Sequence, residues 1–125
     1  MKISILALIF AVSLLSAKED KTNLKCYPYQ FVVAGKVTRE LNKDQAQASG
    51  LVNTISYSSD EMRLKNASTV MNLDHVDTQI EGDISVEIYK DVKSSVMCKI
   101  NPKDINSLAM DWGNRVIVKY KCELN

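Results

Sequence analysis

A chain of 125 residues with 16 basic and 15 acidic side chains carries one formal positive charge. That balance excludes the excess of positive charge on which phosphate-backbone binding depends. The length excludes two independent cores, so one small domain is expected.

The chain opens with Lys2, an apolar stretch over residues 3–15 broken only by two serines, then Ser16-Ala17 and the charged run Lys18-Glu19-Asp20-Lys21. This is the three-part build of a cleavable secretory signal over residues 1–17. The stretch is short for a spanning helix, which needs about 20 apolar residues. Leu14-Leu15-Ser16-Ala17 is similar to a bacterial lipoprotein box, but Lys18 stands where the lipid-carrying cysteine belongs. The expectation is an exported chain, periplasmic or secreted, without a stable membrane anchor. Setting Lys2 aside leaves 15 basic against 15 acidic residues. They are unevenly spread: residues 60–89 hold seven acids against Arg63 and Lys65, and residues 90–121 hold seven bases against three acids. An oxidising compartment favours pairing two of Cys26, Cys98 and Cys122, and three single pairings are open.

Residues 18–25 are polar and charged and read as a flexible leader to a single domain over residues 26–125. From Tyr29 the apolar residues Phe31, Val33, Val37 and Leu41 take odd positions, which predicts a half-buried strand. Gly35 within it predicts a bulge or bend. Residues 42–50 read as a polar loop with a helical turn at residues 44–48. Leu51, Asn53, Ile55 and Tyr57 form one alternating face, and after Ser58-Ser59-Asp60 a short strand through Met62 and Leu64 completes a hairpin. Residues 66–83 show no clear period and are read as loop with some helix. Ile84, Val86 and Ile88, then Val96, Cys98 and Ile100, predict a second hairpin. Asn101 as N-cap, Pro102 as first helical residue and Asp104 near the positive helix end predict a helix. Ile105, Leu108, Ala109 and Trp112 form its apolar face, with Gly113 as the stop. The last strand puts Val116, Val118, Tyr120, Cys122 and Leu124 on one side and Lys119, Lys121 and Glu123 on the other. The fold class is therefore mainly β, a small OB-like barrel of five to six strands with one helix before the last strand.

The stretch Val96-Met97-Cys98-Lys99-Ile100, a helix through Leu108, Gly113, and Val116-Ile117-Val118-Lys119-Tyr120-Lys121-Cys122 together carry a resemblance, joined upstream by Val32-Val33-Ala34-Gly35-Lys36-Val37. The pattern resembles the exported OB-fold domains of the tRNA_anti-like type. A weaker resemblance is to secreted OB-fold toxin B subunits of the cholera or subtilase-cytotoxin kind. The family pattern implies a disulfide between Cys98 and Cys122, whose strands flank the helix, with Cys26 to Cys122 as the alternative. The bridge closes a loop worth about 3 kcal/mol on the chain-entropy model.

His75, flanked by Asp74 and Asp77 with Glu81 and Asp83 beyond, fits no calcium-loop spacing and reads as solvated loop. No metal or cofactor is expected. One histidine, no G-x-S-x-G, no phosphate-binding glycine loop and no C-x-x-C leave Cys26 with His75 as the remaining nucleophile pair, and no enzyme is expected. Asn66-Ala67-Ser68 is a glycosylation sequon, meaningful in a eukaryotic host. Most aromatics have core parity; Tyr27 and Tyr89 are the candidate ligand-contact aromatics. The expected function is an exported, non-catalytic OB-type module that binds a protein or cell-envelope partner and no nucleic acid. The alternative is a toxin-like B subunit that forms an oligomeric ring and binds glycans.

Overall fold

The computed structural model describes residues 21–125. The signal read over residues 1–17 and the first three residues of the leader, 18–20, lie outside the described residues. In chain order the elements are β1 (Thr22–Val33), β2 (Lys36–Glu40), α1 (Lys43–Ala48), β3 (Asn53–Tyr57), β4 (Glu61–Lys65), β5 (Val70–Glu81), β6 (Ile84–Lys90), β7 (Met97–Asn101), β8 (Asp104–Gly113) and β9 (Val116–Leu124). The described residues are thus mainly β with one short helix, as their alternating patterns require, but with nine strands rather than five or six. Residues 22–25, read as leader, are the start of β1 and pair with β3.

Every strand from β3 to β9 hydrogen-bonds antiparallel to the next, and β9 returns to β1. β1, β3 and the six following strands close an up-and-down barrel, an architecture that leaves these strands no open edge. β1 has two partners on its other side: residues 22–26 pair with β3 and residues 30–33 with β2. The change of partner opens a gap at Pro28-Tyr29, and α1 sits over β1 there with Ala46 fully buried. Asn42 starts α1 through a capping box. Its Oδ1 accepts from the Gln45 backbone at 2.8 Å, and Gln45 Oε1 accepts from the Asn42 backbone at 2.9 Å. Two orphan donors of the first turn are satisfied in this way.

Side chains that face each other across the strands form the core. Leu24, Ile55 and Leu64 make one row, and Tyr89, Cys98, Met110 and Val118 another, all buried. Burying each large apolar side chain contributes about 1.5–3 kcal/mol. Gly35 does not bend a long strand. It follows Ala34 in a two-residue turn, with φ of 80° and 52°, that folds β2 back onto β1. Both residues are left-handed, the pattern whose twist matches that of the flanking strands.

The helix predicted before the last strand is absent: residues 104–113 are β8. Asn101-Pro102 has the chemistry of a helix start, but the same pair suits the first two places of a tight turn. Here it joins β7 to β8, with Asn101 Oδ1 accepting from the Lys103 backbone at 3.0 Å. Leu108, Met110 and Trp112 then alternate toward the interior. Residues 66–83, read as loop with some helix, hold the twelve-residue β5. Leu73 is its fully buried residue, and its outer half is exposed on both faces in a ribbon with β6, so no alternation marks it.

The disulfide joins Cys26 to Cys122, not Cys98 to Cys122. Cys26 and Cys122 are direct partners across β1 and β9, with Cα atoms 4.1 Å apart. Cys98 pairs with Met110, which pairs with Val118, so β8 lies between Cys98 and β9. Two strand spacings are about 9–10 Å, beyond the reach of a disulfide. Cys98 is instead a buried free thiol, and burial pushes its ionisation far above the ordinary thiol value. The bridge spans a sequence separation of 96 and on the chain-entropy model contributes about 4.7 kcal/mol. Among the described residues no helix is long and apolar enough to cross a membrane.

Three measurements check this arrangement. Non-reducing peptide mapping is expected to return a linked Cys26 and Cys122 pair. Cys98 in folded protein at pH 8 is expected to resist iodoacetamide and to react once urea unfolds the chain. The double variant Cys26→Ser, Cys122→Ser should lose about 4.7 kcal/mol in urea unfolding.

Candidate functional site

The outer surface of the seam between β1 and β9 carries a group of lysines and tyrosines. Pro28 cannot donate a ladder hydrogen bond, and the register of β1 against β9 slips between Pro28 and Gln30. Tyr29 is the extra residue of this bulge. The slip shifts the inward parity of β1 from Leu24 and Cys26 to Phe31, and it places Tyr27 and Tyr29 on either side of Lys121. Tyr27 faces Lys121 directly, and Lys121 Nζ lies 5.1 Å from the centre of the Tyr29 ring.

The start of α1 closes the group from above. The Leu41 backbone donates to Tyr29 O at 2.9 Å, which holds the crossover against β1. Lys43 then reaches over Tyr27, its Nζ 5.0 Å from the ring centre and 3.3 Å from both carboxylate oxygens of Glu123. Lys25 Nζ approaches the Tyr27 ring at 5.8 Å. The Tyr27 hydroxyl donates to Glu123 Oε1 at 3.0 Å. The result is a cleft of about 250 Å³ floored by Tyr27, Tyr29 and Cys122, with Lys43, Lys121 and Glu123 around it. Cations over aromatic faces are attracted by the ring quadrupole.

The hydrogen bond from Tyr27, followed by that from Lys43, holds the Glu123 carboxyl below its ordinary 4.5. The Lys43 ammonium is raised above its ordinary 10.5 by the hydrogen bond and charge of Glu123. Both groups are solvent-exposed, so the pair orients the cleft more than it stabilises the fold. With three lysines around one carboxylate, the surface is suited to an anionic group.

The second candidate aromatic, Tyr89, is in the core. It is 1% exposed, its hydroxyl donates to Ser58 O at 2.6 Å, and its ring lies edge-on to Tyr57 and His75. Burial, followed by the Glu87 charge, pushes its ionisation up to about 12. It offers no face to a ligand from outside. Strand parity alone had set it opposite Ile84, Val86 and Ile88, but its register with Cys98 turns it inward.

His75 does not meet the neighbouring acids of its own segment. Its Nε2 is 2.6 Å from Glu87 Oε2, and the Thr78 hydroxyl donates to the same oxygen at 2.9 Å. Among the described residues no group of three or more His, Cys, Asp or Glu side chains could hold a metal ion. Cys26, bound in the disulfide, is not available to His75 as a nucleophile. In the Asn66 sequon, Nδ2 donates to Asn53 Oδ1 at 3.1 Å and Oδ1 accepts from the Thr69 backbone at 2.8 Å, so the amide is held in place.

Of the two aromatics singled out in the sequence, Tyr27 lines this cleft, 5% exposed beneath Lys43, whereas its companions Lys43, Lys121 and Glu123 were not singled out. The signal for Lys43 was present in Asn42 and Gln45, whose spacing is that of a capping box. Comparison with known protein families, with curated proteins and with solved structures finds no match to this chain.

The Glu123 interactions exist only while its carboxyl is ionised. Their contribution is fully present above pH 4.5 and is lost as pH falls through the lower folded-state value. An NMR titration should therefore place Glu123 below ordinary glutamates, and Tyr27→Phe should move it back toward 4.5. An unchanged midpoint in the variant would show that the Tyr27 hydrogen bond is absent in solution.

Proposed function

We propose that this protein is an exported, non-catalytic binding module whose lysine and tyrosine cleft takes an anionic group on a protein or cell-envelope partner. The observation that carries the reading is the group of Lys25, Lys43 and Lys121 over two tyrosine rings, with Glu123 as the carboxylate among them. The signal read over residues 1–17 and the Cys26 to Cys122 bridge support export, since such bridges persist in oxidising compartments. A barrel tied by that bridge is a rigid support, and sites on regular strands are held more firmly than sites on loops. The tRNA_anti-like resemblance contributes to this reading a small exported barrel used for binding. It does not bring nucleic-acid recognition, which the charge balance disfavours.

Retention of envelope components tests the reading. Mature protein on a column should retain components that are released near 1 M salt, where screening acts within about 3 Å. A column carrying the Lys25→Glu, Lys121→Glu variant should lose them. Equal retention on both columns would remove the cleft as the binding surface.

A further inference from the structure

The two ends of the barrel differ. At one end lie the termini and the β3–β4, β5–β6 and β7–β8 turns. At the other, β2 and α1 cross over, and the β4–β5, β6–β7 and β8–β9 turns follow. At this second end the interior is not filled. A pocket of about 240 Å³ opens between Phe31, Trp112 and Tyr120 on one side and Asn53, Asn66 and Ser68 on the other.

The strand order separates these two groups. The rings come from β1, β8 and β9, three neighbouring strands. The amides and the hydroxyl come from β3 and the β4–β5 turn on the other side of β1. No residue lining the pocket is charged. Arg39 rests on the Phe31 ring at 5.9 Å, but it is exposed and outside the lining.

The polar wall is held in one orientation. Asn66 Oδ1 accepts from the backbones of Ser68 at 3.0 Å and Thr69 at 2.8 Å, so its Nδ2 points to Asn53 Oδ1. That contact in turn orients Asn53, which is 5% exposed, with its amide nitrogen as the free donor end. Burial pushes the ionisation of the Tyr120 hydroxyl beside it up to about 12, with Trp112 and Asn53 acting against that rise.

We propose that this barrel mouth is a binding site for a neutral pyranose, either a free sugar or the terminal unit of a glycan. One face of such a ring is C–H and packs on aromatic side chains, while its hydroxyls pair with amides and phenols. An anion would meet no cation in the lining, and a wholly apolar guest would leave Asn53 and Tyr120 without partners. Mouths of barrels with a few convergent polar groups among apolar walls are common ligand sites. The site is independent of the lysine cleft. The two adjoin at Pro28, which lines both, and share no other residue.

Trp112 is the one tryptophan of the chain, so its fluorescence reports on this pocket directly. The probes are the methyl glycosides of glucose, galactose, mannose and N-acetylglucosamine, and trisaccharides that end in the same units. At least one is expected to give a saturable change in Trp112 emission and to move the indole N–H signal in NMR spectra. Tyr120→Phe, with thermal unfolding measured alongside, should weaken that binding at least tenfold. If Tyr120→Phe unfolds, the indole N–H shift in the native protein decides alone. A trisaccharide bound tenfold tighter than its methyl glycoside identifies a glycan end, and equal binding identifies the single sugar. No change in Trp112 with any probe at about 50 mM overturns the proposal. So does unchanged affinity in a folded Tyr120→Phe, or a response to indole with none to the sugars.

Discussion

Where β1 meets β9, the first and last described strands of the chain run side by side over most of their length, and the barrel exists only because they do. The pairing from Leu24 with Leu124 to Val33 with Val116 joins the ends of what would otherwise be an open sheet. An open sheet of this size would present two rows of unpaired backbone groups. Across this seam sits the Cys26 to Cys122 bridge, which limits the separation of the two strands in the unfolded chain as well as in the folded one. The long-range contacts are thus secured at the place where loop closure is costliest in entropy.

Both the lysine cleft and the barrel-mouth pocket depend on the same seam. At Pro28 and Tyr29 the ladder slips by one residue, and a slip of one residue exchanges the two faces of a strand. Before it, Tyr27 points outward to Lys43 and Glu123; after it, Phe31 points inward to Val118. One strand therefore supplies a tyrosine to the outer cleft and a phenylalanine to the inner pocket within five positions. Bulges re-aim side chains in this manner and are frequent beside functional sites. The same irregularity frees β1 to change partners from β3 to β2, which is why α1 is needed to cover the gap.

Much of the fold was legible as alternation. The buried positions of β3, β4 and β9 follow the period of two seen in the chain, because each of these strands has one face on the core and one in solvent. The failures have specific causes. β8 mimicked a helix because Asn101 and Pro102 suit either a helix start or a turn, and because Ile105, Leu108, Ala109 and Trp112 also fall at helical spacing. β5 was hidden because its outer half has no buried face. Tyr89 was misplaced because local parity cannot show which side of a hairpin faces the barrel. At the site, Lys43 is 16 positions from Tyr27 and meets it through the α1 crossover, while Lys121 and Glu123, 94 and 96 positions away, meet it only through barrel closure.

What the sequence by itself determined is the chemistry of each segment: strands that must bury one face, a turn at Ser58-Ser59-Asp60, a near-even charge balance, and three cysteines of which two could pair. Those properties depend on residue type and near neighbours, which a linear reading contains. Which cysteines pair, which tyrosine faces out, and which lysines surround it were decided only by tertiary structure. Each depends on strand register around a closed barrel, and register is set by all eight strands together. The loss of Cys98 as a bridge partner shows the reason plainly. Its parity is right and its distance is wrong, because β8 stands between it and β9.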